Sequence, residues 1–204
     1  LTHTKLDHPM KDDVIASQPN DWQTVVQSLQ GDVPKEQPVW YQKHMTHHLL
    51  PHIDRAWMKE VRHCFLIRDP KEVLASYTRS HAQVSLADLG FEAQAEIFDY
   101  VTQTLGQPAV VLDSNDVLKN PAQMLEKLCN ALEIPYSNKM LHWKPGLHET
   151  DGVWAPHWYH SVMESSGFAP YRERFPEYPE SLASIAQAAR VYYQPLYEKR
   201  MRLS

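Results

Sequence analysis

Arg68 and Ser76 are two side chains whose types and spacing suggest chemistry. Arg68 closes the apolar run Cys64-Phe65-Leu66-Ile67, which suits a strand buried on both faces of a parallel sheet. Asp69 can cap the next helix and Pro70 fits its first turn, where a missing N–H costs nothing. The guanidinium therefore stands at the carboxyl end of a strand, with the hydroxyl further along the helix. Six helical residues rise about 9 Å, a gap that a long arginine side chain and a phosphate can bridge together. Both groups could grip one anion at the sheet edge where ligands of open α/β proteins sit. The plain alternative is a strand-cap-helix joint with a solvated arginine.

A second reactive cluster lies upstream in WYQKHMTHHLLP, residues 40–51, where Lys43 precedes His44, His47 and His48. His44 and His48 would share a face of a helix, which invites a metal site. Against this, no Cys, His or Asp set at a familiar ligand spacing completes the coordination, and HExxH is absent. No metal is expected. An imidazole with an ordinary pKa of about 6.5 can instead remove a proton near neutral pH, and any of the three histidines could serve.

The elements that must position these groups follow from apolar periodicity. A short helix is expected over residues 11–16 in an otherwise loop-like start, and a surface helix from a cap at Asn20 or Asp21 to Gly31 carries Trp22, Val25, Val26 and Leu29 on one face. After a turn-rich stretch, Val39-Trp40-Tyr41 has strand character. Residues 64–67 and 109–112 make two further strands, three in all. Residues 85–90 read as a connector, and Phe91, Phe98, Val101 and Leu105 as one side of a helix closed by Gly106. Residues 113–116 read as a polar turn before a helix begun near Pro121. Residues 143–168, rich in Trp, His, Pro and Gly, read as an ordered loop whose aromatics are core or a pocket wall. Leu182, Ile185, Ala189, Tyr192 and Leu196 suggest a closing helix disturbed near Pro195. Strand and helix alternate, which indicates an α/β fold with a central parallel sheet covered on both sides.

Arg68-Asp69-Pro70, followed by Val73 and Ser76-Tyr77, resembles the segment by which sulfotransferases hold the 3′-phosphate of 3′-phosphoadenosine 5′-phosphosulfate (PAPS). VVLDSNDVLKNPAQMLEKLCNALEIPY, residues 110–136, is similar to the family's next strand, acidic turn, Asn-Pro helix start and Ile-Pro exit. The resemblance implies a three-layer α/β/α P-loop fold, PAPS as donor, and Arg68 and Ser76 as phosphate ligands. Lys43-His44 ahead of Leu49-Leu50-Pro51 looks like the element carrying the family's catalytic base, which falls on His44 with Lys43 beside it. Lys144-Pro145-Gly146, followed by Asp151-Gly152, is similar in position to the late loop that closes over the nucleotide, which makes Lys144 a further donor-binding candidate. One departure stands out: no GxxxxGK[ST] or comparable Arg/Lys-Ser-Thr loop precedes Trp22. Either such a loop precedes Leu1 or the donor's 5′ end is not held in the family manner; the preserved motif order favours the first.

The 204 residues suit one domain. A formal net charge of -5 supplies no global field for nucleic acid or membrane, so any anion site must be local. Cys64, within a strand, and Cys129, on a helix face, read as buried thiols, which points to a reducing cytoplasm. No apolar run reaches the roughly 18 residues needed to span a bilayer. The expected activity is sulfuryl transfer to a hydroxyl or amine of a small-molecule acceptor. The competing readings are a P-loop kinase, for which the Walker lysine is absent, and a catalytically inert nucleotide-binding protein of the same fold.

Overall fold

The computed structural model describes residues 10–33, 37–81, 83–148 and 150–203. The loop expected over residues 1–9, and the part of the turn at residues 34–36, lie outside them. In chain order the elements are α1 (Lys11–Ser17), α2 (Trp22–Leu29), β1 (His63–Ile67), α3 (Pro70–Tyr77), α4 (Leu86–Leu89) and α5 (Phe91–Asp99). There follow β2 (Ala109–Asp113), α6 (Ser114–Lys119), α7 (Pro121–Ala131), the one-turn α8 (Ala155–Trp158) and α9 (His160–Met163), and α10 (Ala183–Lys199). The chain divides into two compact units, Leu1–Trp40 with Asn138–Phe168, and Tyr41–Ser137 with Ala169–Ser204.

In the first unit Asp21 caps α2 as expected, accepting from the Thr24 amide at 2.8 Å and the Thr24 hydroxyl at 2.7 Å. The aromatic stretch is ordered by its own contacts. An antiparallel bridge joins His142 to Gly167, the Trp143 indole donates to the Ser165 hydroxyl at 2.9 Å, and its ring meets Phe168 edge-on at 5.5 Å. Helices α8 and α9 sit within this stretch, where only loop was expected.

The second unit is built on β1 and β2, paired in parallel with Phe65 opposite Val111 and Ile67 opposite Asp113. A parallel pair needs a crossover, supplied here by α3, α4 and α5. Phe65, Ile67, Val111 and Leu112 are all buried, as the sequence implies. Helix α10 packs against α3, α4, α5 and both strands, and Leu74, Val101 and Ala189 are fully enclosed in this core.

Four expectations are corrected. Among the described residues there are two strands, because Val39-Trp40-Tyr41 has no partner to pair with. Burial of β1 alternates instead of covering both faces: Leu66 is 61% exposed although Leu112 on the same face is buried, and Cys64 is exposed as well. The second face is thus closed over β2 and open over β1. The presumed connector and polar turn are the helices α4 and α6, each begun by a carboxylate or hydroxyl cap, Ser85 with Asp88 and Asp113. Finally, α10 continues through Pro195, which is exposed. The carbonyl its ring leaves unbonded belongs to Val191, on the solvent side, where water can satisfy it. The buried face of α10 keeps the expected Ala189 and Leu196, with Ala186 and Tyr193 buried in place of Ile185 and Tyr192.

Candidate functional site

β1 ends at Ile67 and Arg68 follows at the carboxyl edge of the sheet. Asp69 accepts from the Lys71 amide at 2.9 Å and Pro70 opens α3, so the backbone turns there as the sequence requires. The Arg68 Nε donates to Glu72 Oε2 at 2.9 Å. Asn115, at the start of α6, donates to Glu72 Oε1 at 2.8 Å, and Arg174 Nη1 lies 3.9 Å from the same Oε2 as Arg68. Glu72 is 8% exposed. Burial alone would push its carboxyl up, but the hydrogen bonds from Asn115 and Arg68 and the charges of Arg68 and Arg174 outweigh it and hold the carboxyl below its ordinary value.

Ser76 lies one helical turn beyond Glu72 on the same side of α3, and it is exposed. Among the described residues Arg68 hydrogen-bonds only to Glu72, and the Ser76 hydroxyl makes no hydrogen bond. A cavity of about 380 Å³ adjoins this joint, lined by Asp69, Lys71, Glu72, Asn115, Arg174 and Arg190 among others, while Arg68 and Ser76 stand outside its wall. Sequence reasoning missed Glu72, Asn115 and Arg174. The four-residue spacing from Arg68 to Glu72 was the available signal, obscured because it starts in a strand end.

The acidic segment after β2 has a structural explanation. Asp113 accepts from the amides of Asn115 at 2.9 Å and Asp116 at 3.4 Å, capping α6, and from the Tyr193 hydroxyl at 3.1 Å. Asp116 is paired with Arg200 at 2.8 Å and Lys119 at 3.1 Å. These bonds tie α10 and the residues after it to the end of β2.

The histidine cluster separates into distinct roles. The His47 Nε2 donates to the Asp88 carbonyl at 2.9 Å, and Thr46 donates to the Gly90 carbonyl at 3.3 Å. Gly90 has φ +72°, and a Cβ there would meet the Thr46 hydroxyl at 2.5 Å, so glycine is what lets this turn dock between α4 and α5. The exposed His47 thus has one ring nitrogen committed to the backbone of α4. His44 is exposed, with its ring 5.8 Å from that of Trp57. The protein crowded around it lowers its pKa below the usual imidazole value by desolvation. His48 is lowered too, first by burial and then by the charges of His44, His47 and Lys43. Lys43 is exposed. Among the described residues no group of three His, Cys, Asp or Glu side chains could hold a metal ion. Lys144, exposed beside Gly146, belongs to the other unit, where the Gly146 amide donates to the Met163 carbonyl at 2.8 Å. No helix among the described residues is long and apolar enough to cross a membrane.

A parallel strand pair with an arginine at its carboxyl edge, followed at once by a capped helix, defines an α/β protein. A sequence model of the sulfotransferase domain matches residues 1–199, and the chain belongs to that family. Branched-chain-amino-acid aminotransferase-like protein 1 of Arabidopsis thaliana is 34% identical over 180 residues, and branched-chain-amino-acid aminotransferase-like protein 2 of the same plant is 31% identical over 179. Each match covers 86% of this chain and 32% of the relative, so the chain spans about a third of the length of these curated relatives. No solved structure matches.

Proposed function

We propose that this protein is a cytoplasmic, PAPS-dependent sulfotransferase acting on a hydroxyl or amine of a small-molecule acceptor. The observation that carries this reading is Arg68 at the carboxyl edge of β1, its Nε held by Glu72, with the exposed Ser76 hydroxyl one turn beyond. That arrangement fits a phosphate: the terminal guanidinium nitrogens supply a fork and the hydroxyl a further donor. In this reading Arg68 and Ser76 bind the donor's 3′-phosphate. PAPS, when bound, supplies the sulfuryl group. His44 removes the acceptor's proton as the acceptor attacks, and its lowered pKa keeps the imidazole neutral and able to do so at physiological pH. Lys43 stabilises negative charge beside it. Cys64 and Cys129 are thiols not joined in a disulfide, which suits a reducing compartment.

Calorimetric titration with PAPS, with 3′-phosphoadenosine 5′-phosphate, and with ATP plus magnesium separates the readings. PAPS and the bisphosphate are expected to bind and ATP to bind far more weakly. Preferential ATP binding would replace the proposal with a kinase. Tight PAPS binding without sulfuryl transfer to any of a panel of alcohols, phenols and amines would leave an inert binding protein.

A further inference from the structure

In the proposed reaction Glu72 touches neither substrate, yet it is among the most deeply buried charged side chains of the second unit. Removing a carboxylate from water is costly, and its helix neighbours Leu74 and Ala75 show that α3 could bury an apolar residue there at no such cost. Both carboxylate oxygens are engaged from different elements: Oε1 by Asn115 from α6, and Oε2 by Arg68 from the end of β1. Glu72 and Ser76 lie four residues apart on α3, hence one above the other on one side of the helix. A guanidinium held by Glu72 through its Nε is therefore drawn over the side of α3 that carries Ser76, with both terminal nitrogens left for a ligand. Arg174 lies near the same oxygen, so two guanidiniums share one carboxylate.

Building on the sulfotransferase reading, we infer that Glu72 is a positioning residue: held by Asn115, it orients Arg68 so that the guanidinium fork and the Ser76 hydroxyl address one phosphate.

The sign of one substitution tests this. If Glu72 only diluted the positive charge near the anion, Glu72→Gln would tighten anion binding; if it orients Arg68, the same change weakens binding of 3′-phosphoadenosine 5′-phosphate by about tenfold. Glutamine keeps the volume, and thermal unfolding verifies that the variant is folded. In an Arg68→Ala background Glu72→Gln should cost nothing further, because its effect passes through Arg68. Tighter binding, or an equal loss in both backgrounds, overturns the inference. A second readout does not depend on the nucleotide. The Arg68 Nε–H resonance, assigned by its loss in Arg68→Lys, should exchange slowly with water in the native protein and rapidly in Glu72→Gln. Inorganic phosphate should shift it in the former only. If the nucleotides fail to bind the native protein while this signature holds, the donor assignment falls and the role of Glu72 stands; if the resonance is the same in both proteins, Glu72 does not orient Arg68.

Discussion

Replacing His44 by alanine is expected to lower turnover by about 10²-fold to 10⁴-fold while leaving donor affinity nearly unchanged, the range usual for loss of general-base assistance. The expectation rests on the proposed role of His44, which is exposed and whose imidazole is held below its ordinary pKa by desolvation. The sign for the pH profile follows. A base works in its neutral form, and a lowered pKa keeps that form populated further into acid, so the acid limb of kcat against pH should fall below about 6.5. In His44→Ala that limb should disappear. His48→Ala is the necessary companion, since His48 is shifted in the same direction and is one of the two alternatives to His44 that the sequence leaves open. If His48→Ala carries the large loss and His44→Ala does not, the base is His48. His47 is expected to matter through stability, because its ring nitrogen is committed to the Asp88 carbonyl.

Arg68→Ala is expected to weaken binding of the 3′,5′-bisphosphate nucleotide by about 1.5–3 kcal/mol, with Ser76→Ala costing less, since an arginine fork on phosphate outweighs a single neutral donor. A nucleotide lacking the 3′-phosphate should lose little. Calorimetry of both ligands against the native protein and each variant makes the comparison. Equal losses for both would mean that Arg68 serves the fold or another ligand. The fold does feel this change, because Glu72 would lose its closest cation while buried. Asn115 remains bonded to the carboxylate and Arg174 remains 3.9 Å away. Destabilisation of about 1–3 kcal/mol is therefore expected on urea unfolding, and binding should be measured well below the transition.

The joint around Arg68 was legible because its signals are local. Asp69 and Pro70 specify a helix start by their own chemistry, and an apolar strand must precede it for Arg68 to stand at an edge. Where the sequence misled, the missing information was non-local. Cys64-Phe65-Leu66-Ile67 is apolar throughout and carries no parity, so only the neighbouring elements decide that Phe65 and Ile67 are covered while Leu66 is open. Val39-Trp40-Tyr41 has strand propensity, but a strand exists only when another accepts its hydrogen bonds, and none does among the described residues. In α10 Ala189 and Leu196 are common to both phases, and the buried Ala186 marks the side on which Tyr193 rather than Tyr192 enters the core. Glu72 escaped notice because a lone carboxylate in a charged helix resembles a solvated residue, and its partner Asn115 is remote in the chain. The catalytic assignment to His44 came from resemblance and not from spacing, which could not choose among three histidines.

The bond between Tyr193 and Asp113 has an optical consequence. Burial, followed by the charge and hydrogen bond of Asp113, raises the Tyr193 phenol far above its ordinary value, so the folded protein resists forming this phenolate. A phenol raised by folding adds stability that is fully present below its unfolded pKa of about 10 and is lost as pH rises through the folded value. Solvent-facing tyrosines ionise on alkaline titration while α10 stays docked on β2. The ultraviolet absorbance of the Tyr193 phenolate emerges only as that docking gives way, so one phenol among ten serves as a built-in gauge of the joint that closes the core.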